Sequence, residues 1–220
     1  MLQSFASQVE SYSPTPRLVR SDVFAFIAER TWLDFINTED IRRGVRMDAL
    51  NDFESMVTWL EAASLLDAER AGGIRRRAQQ QPTGATASVV DARRIRTSLR
   101  ELAEKGACVP QVRADAQNEI NRVLGRSAGT RRLEQRNDGT FGRTFVPSGD
   151  AFAGLLIPIV ESAADSLILG ELLRVRSCSD HRCPRVFFDN TKNGRRRWCD
   201  MTTCGNRAKA ARHRQKGMVN

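Results

Sequence analysis

Cys178-Ser-Asp-His-Arg-Cys183, then fifteen residues, then Cys199-Asp-Met-Thr-Thr-Cys204-Gly205-Asn206-Arg207: this stretch decides how the chain is read. Its two cysteine pairs have the same spacing, with four residues inside each. A structural zinc takes four ligands at the corners of a tetrahedron, and thiolates are its commonest protein donors. Each pair can form a small loop that turns both sulfurs toward one metal, and the spacer is long enough for a hairpin that brings the pairs together. Two disulfides or four unrelated thiols are the alternatives. Met1 to Glu10 has neither the basic segment nor the apolar run of a secretory leader. A cytoplasmic location is therefore expected, and cytoplasmic chains seldom keep disulfides. The expectation is one structural Zn2+ per chain on Cys178, Cys183, Cys199 and Cys204. Four cysteines fill the shell, which leaves His181 and His213 to the surface. So short a segment has little core of its own, so metal binding would supply most of its folding free energy, on the order of 10 kcal/mol.

Charge follows the same division. Residues 171–220 carry 13 Lys and Arg against 4 Asp and Glu, while residues 1–170 carry 22 of each, so the whole net charge of +9 lies in the last fifty residues. A zinc on four thiolates would leave that segment at about +7. A local excess of this kind is the footprint of a polyanion partner rather than of a generally basic protein. No apolar face accompanies it, which ranks an anionic membrane below nucleic acid. No apolar run reaches the roughly 20 residues of a membrane span; the longest, Ala151 to Gly170, is broken by Pro158, Glu161 and Asp165.

From Cys204 to about Lys216 the residues favour a helix. On it Arg207 and Arg214 share one face, and Lys209, Arg212 and Lys216 another. Arg195, Arg196 and Arg197 form a second basic cluster beside Trp198, whose ring could stack on a base or, as is commoner, pack beside the metal. Asn206 could read adenine or cap the helix. A merely solvated basic tail is the alternative for the whole set.

Arg197-Trp198-Cys199 and Cys204-Gly205-Asn206-Arg207-Ala208-Lys209 resemble the CGNR zinc finger. Leu33-Asp34-Phe35-Ile36-Asn37-Thr38 resembles the LDFxNT segment of the helical ABATE domain that precedes the finger in that family. The resemblance spans nearly the whole chain. It implies the same four cysteine ligands, DNA binding and a role as a stress-induced transcription regulator.

The expected fold is mainly α with a small β-hairpin: a flexible arm over 1–21, a helical domain over 22–170 and a treble-clef-like zinc finger over 171–220. Helices are expected over Thr31–Thr38, from a cap at Asn51 or Asp52 to about Leu66, over Asp91–Glu104 with its arginines outward, and over Val112–Leu124, stopped by Gly125. Ala71 to Arg77 adds a helical turn or two, with Arg75 to Arg77 on a solvated face, and Gln79 to Ser88 reads as a loop. A hairpin turns at Asn137-Asp138-Gly139 with Leu133, Phe141 and Phe145 toward the core. The apolar run from Asp150 to Leu169 reads as the central packing helix, kinked at Pro158, with Gly154 marking a close backbone approach. The finger has strands within Leu172–Arg176 and Arg185–Asp189. Asp34 and Asn37 are polar residues on an apolar segment; they either line a small-molecule pocket or bond neighbouring backbone, the usual state of buried polar groups.

These readings point first to a DNA-binding transcription regulator whose helical domain senses a small-molecule effector or forms a homodimer, since one small finger offers limited interface. An RNA- or ribosome-associated zinc protein is the alternative. An enzyme built on Asp34 and Asn37 is disfavoured: the sequence offers no nucleophile–base pairing and no phosphate-binding glycine loop, and a zinc closed by four cysteines keeps no position for water.

Overall fold

The computed structural model describes residues 24–42, 45–126, 128–135, 141–148 and 152–217. The expected arm over 1–21 lies outside the described residues. Seven α-helices and three two-stranded hairpins appear among them, so the mainly helical expectation holds.

Helix α1 (Thr31–Ile36) is short, yet Trp32, Leu33, Phe35 and Ile36 are all fully buried. A helix apolar on every side belongs at the centre. It packs on two later helices, over Pro82–Lys105 and Ile157–Ile168. The hairpin β1 (Glu39–Arg42) and β2 (Val45–Asp48) follows directly. Its polar sequence carries no clear alternation, and it was not foreseen. Helix α2 (Phe53–Ala62) starts at Asp52, whose carboxylate accepts from the Ser55 amide at 2.8 Å while Ser55 Oγ accepts from the Asp52 amide at 3.0 Å. This reciprocal cap satisfies two amides that a helix start otherwise leaves unpaired.

Helix α3 (Ala68–Gln80) is longer than the turn or two expected. Arg75 is also no solvated residue, since it pairs with both Glu54 and Glu61 at 2.7 Å and straps α3 to α2. The loop expected over Gln79–Ser88 is in fact mostly the start of α4 (Pro82–Lys105). Pro82 occupies the first turn, where its missing N–H costs nothing. Ala85 and Ser88 face inward, and a Cβ on Gly84 would lie 3.1 Å from the Phe152 ring. The arginines of α4 are likewise not all outward. Arg96 is 3% exposed and donates to both Asp48 oxygens at 2.7 and 2.6 Å and to Thr38 Oγ1 at 2.8 Å. Arg100 reaches the carbonyls of Ile36 and Pro184. A buried guanidinium is tolerated where its donors are matched in this way.

Helix α5 (Pro110–Arg126) runs through Gly125 rather than stopping there. Strands β3 (Gly129–Gln135) and β4 (Phe141–Pro147) pair antiparallel, with Arg131 opposite Phe145 and Leu133 opposite Arg143. The turn at Asn137 to Gly139 and the side chain of Phe141 lie outside the described residues. Phe145 is half-buried as expected, but Leu133, two residues nearer the turn, is 70% exposed and no core residue. A 3-10 turn over Ala153–Leu156 leads into α6 (Ile157–Ile168). Pro158 therefore lies in the first turn of a new helix and kinks nothing. Gly154 does mark a close approach: a Cβ there would sit 2.9 Å from the Pro147 side chain. The end of α6 leaves the core, with Ile168 80% exposed, but its body, with Ile157, Ile159, Val160 and Ala163 buried, packs on α1, α5 and β4 as a central helix.

The last fifty residues form a 3-10 turn (Glu171–Arg174), an antiparallel pair β5 (Val175–Ser177) and β6 (Val186–Phe188), a π-helical turn (Met201–Gly205) and helix α7 (Asn206–Gly217). Knuckle, hairpin and terminal helix follow the expected treble-clef-like order. Val186, Phe187, Phe188, Cys199 and Cys204 belong to the same apolar cluster as Trp32, Ile36 and Leu99. One core thus runs through both parts.

Candidate metal centre and nucleic-acid interface

Cys178 and Cys183 lie in the loop between β5 and β6; Cys199 precedes the π-helical turn that enters α7, and Cys204 lies within it. Their sulfurs all lie within 4.8 Å of one another. Cys199 Sγ is 3.7 Å from Cys183 Sγ and 3.7 Å from Cys204 Sγ. A tetrahedron of thiolates with bonds of about 2.3 Å has edges of about 3.8 Å. The donor set and its spacing therefore fit one structural zinc, which Cys178, Cys183, Cys199 and Cys204 would hold. Cys108 stands apart and exposed. His181 and His213 are exposed as well.

The backbone prepares this cluster. The amides of Cys178, Ser179 and Cys183 donate to the carbonyls of Arg185, Arg197 and Asp180 at 2.9, 2.8 and 2.8 Å. Asp180, buried, accepts from the Arg182 amide at 3.1 Å and lies 2.9 Å from Arg207 Nε. Arg207 also donates to Cys204 Sγ at 2.9 Å. Hydrogen bonding from Cys178 and Cys183 pushes the Cys199 thiol up, and contact with Cys178 pushes Cys183 up to about 12. Hydrogen bonds with Cys183 and Cys199 push the Cys178 thiol down while those two are held protonated, and metal binding expels the held protons. Arg207 offsets part of the charge of the loaded site.

The basic residues divide into two groups. Arg196 faces inward. It donates to Glu29 at 2.9 Å, to the carbonyls of Trp198 and Cys199 at 3.1 and 2.6 Å, and its guanidinium lies 4.5 Å from the Phe187 ring centroid. It is a strut between finger and helical part, unlike the contact residue expected from the Arg-Arg-Arg run. Arg207 is committed to the metal cluster. Asn206 caps nothing: the turn is capped by Asp200, which accepts from the Thr202 amide, and Asn206 donates to the Thr202 carbonyl at 3.0 Å.

Arg195, Arg197, Lys209, Arg212 and Arg214 are exposed. Among the described residues, Arg195, Lys209 and Arg214 pair with no acid. Arg197 lies 5.2 Å from the Trp198 ring centroid, and Trp198 itself packs half-buried against the core. The side chain of Lys216 lies outside the described residues. Exposed Lys192, three residues before Arg195, is a further cation of the finger.

On α7, Arg207, Ala208 and Ala211 form the inner side, the two alanines half-buried. At 100° per residue, Lys209, His213 and Lys216 lie opposite, with Arg212 at their edge. The helix has 12 residues and no acid. A helix of that length is marginal in water on propensity alone.

Asp34 and Asn37 bond backbone. Asp34 Oδ1 accepts from the amides of Ile27 and Ala28, both at 2.9 Å. Asn37 Nδ2 donates to the Val186 carbonyl at 2.8 Å while its Oδ1 accepts from the Val186 amide at 3.0 Å, clamping β6 to α1. Both residues also line a cavity of about 450 Å³.

A helical domain joined through one core to a four-cysteine zinc finger is the class this architecture defines. Residues 29–170 match the ABATE family, described as "Putative stress-induced transcription regulator", and the chain belongs to that family. Residues 174–217 match the CGNR zinc finger. No curated protein matches the chain. Neither family description is that of an enzyme. No described helix is long and apolar enough to cross a membrane.

Proposed function

We propose that the protein is a cytoplasmic DNA-binding transcription regulator whose zinc-stapled finger lays the outer side of α7 against the phosphate backbone. The observation that carries this reading is α7 itself: 12 residues with no acid, held by Arg207 at its start and by the half-buried Ala208 and Ala211. Such a helix repels itself, and a polyanion would relieve the repulsion. Lys209, Arg212 and Lys216 on that side supply one group of contacts, with exposed Arg214 at its flank, and Lys192, Arg195 and Arg197 supply the other. Phosphate contacts of this kind release counterions, so binding should weaken steeply with salt. Because one finger covers little nucleic acid, two copies joined through the helical part would give a specific site its length.

In this reading residues 22–170 and 171–220 act as one body, because Asn37, Arg196 and the shared core leave no loose joint between them. The reading assigns no catalytic step to the chain. Its test is competition between duplex DNA and structured RNA at matched salt, with Cys199→Ser/Cys204→Ser as control. Preference for duplex DNA, lost with the zinc, is expected. Preference for structured RNA would move the assignment to an RNA- or ribosome-associated role.

A further inference from the structure

We propose that the cavity between α1, the β1–β2 hairpin, α2 and Arg185 of the finger binds a small protonated organic amine, with Asp34 as its anchor. The cavity measures about 450 Å³ and is walled on its apolar side by Phe24, Met47 and Trp59. Its other acids are already matched. Asp40 pairs with Arg185 at 2.7 Å, Asp48 with Arg96 at 2.6 Å and Glu54 with Arg75 at 2.7 Å, while Asp52 caps α2. Asp34 differs from them. It is 7% exposed, its Oδ1 takes both amide hydrogen bonds, and among the described residues no donor bonds its Oδ2. That oxygen, without a donor yet not sealed from the cavity, is open to a charge-assisted bond from a ligand.

Burial pushes the Asp34 carboxyl up to about 7, against the pull of the Ala28 and Ile27 amides. An entering cation would favour its ionised form. Trp59 and Phe24 offer the aromatic wall on which an ammonium group also gains. An anion would meet five carboxylates and one guanidinium around the cavity, which selects against it.

The position matters because the cavity lies where the helical part holds the finger. The Ala28 amide donates to Asp34, and the Ala28 carbonyl accepts from the Phe188 amide of β6 at 3.0 Å. One residue, Ala28, therefore joins the anchor to the finger. That occupancy alters the finger's output rests on the regulator reading above; the binding itself does not.

The test uses zinc-loaded full-length protein without nucleic acid, so its outcome is independent of that reading. Benzylamine is titrated calorimetrically against benzyl alcohol, its neutral counterpart of similar shape. Saturable binding is expected for the amine, tighter than for the alcohol by about tenfold or more. Asp34→Asn keeps an oxygen for the two amides and should abolish the preference. Thr58→Trp, at an exposed α2 position on the cavity wall, should block the amine without touching the Asp34 bonds. It decides the matter if the Asn variant fails to fold. Equal affinity for amine and alcohol, no saturable binding, or amine binding unchanged in Thr58→Trp would overturn the proposal.

Discussion

At the scale of single residues, Asn37, just past α1, clamps β6 of the finger, and Asp34 on α1 holds the Ile27 and Ala28 amides. Replacing Asn37 by Ala would leave the Val186 amide and carbonyl buried and unpaired, each costing roughly 1–3 kcal/mol. Chemical denaturation should show a loss of about 3 kcal/mol for Asn37→Ala; a loss under about 1 kcal/mol would mean that water replaces the clamp. Asp34 makes a separate prediction about pH. Its carboxyl titrates near 7 in the fold and near its ordinary 3.8 in the unfolded chain. Between those values the folded chain keeps a proton that the unfolded chain has lost, so Asp34's contribution is full below about 4 and falls as pH rises to about 7. Asp34→Asn stays neutral and should gain stability relative to wild type across that window, measured at constant zinc. A difference that is flat, or that runs the other way, contradicts the account. The sequence marked both residues as polar groups in an apolar run. It could not show which backbone they bond, because their partners lie as far away as Val186. Arg96 was misjudged for a related reason: its burial depends on Asp48 across the hairpin, and no helical period reveals that.

At the scale of elements, the two basic groups of the finger should respond differently to mutation. Lys209→Ala with Arg212→Ala should leave zinc content and stability unchanged. It should lower the slope of log affinity against log salt by about two units. Arg196→Ala should instead destabilise the finger, by about 2 kcal/mol or more, because Glu29 and several carbonyls lose their donor. If Arg196→Ala changes only the salt slope, the division between strut and contact is wrong. The cysteine spacing made the finger legible from the sequence, since a metal geometry is local and strict. The Gln79–Ser88 stretch was misread because a proline and a glycine suggest a break, whereas Pro82 opens a helix and Gly84 makes room for Phe152. Leu133 was placed in the core by alternation alone, which does not say how far along a ribbon the helices reach.

At the scale of the molecule, helical part and finger share one core and several cross-links: Asn37 to Val186, Arg185 to Asp40, Arg196 to Glu29, and Arg30, which pairs with Glu171 at 2.6 Å and lies 3.9 Å from the Phe188 ring centroid. Removing the zinc should therefore lower the unfolding temperature of the whole chain in a single transition, because metal binding and folding are linked. Two separate transitions in calorimetry, with the upper one insensitive to chelator, would show that the parts fold independently. The measurement that bears most directly on the central claim is the affinity of the zinc-loaded protein for duplex DNA across a salt series. Wild type should bind, with affinity falling steeply as salt rises and a slope that shrinks in Lys209→Ala/Arg212→Ala. One zinc per chain with no affinity for duplex DNA at low salt, or the same slope in both proteins, would contradict it.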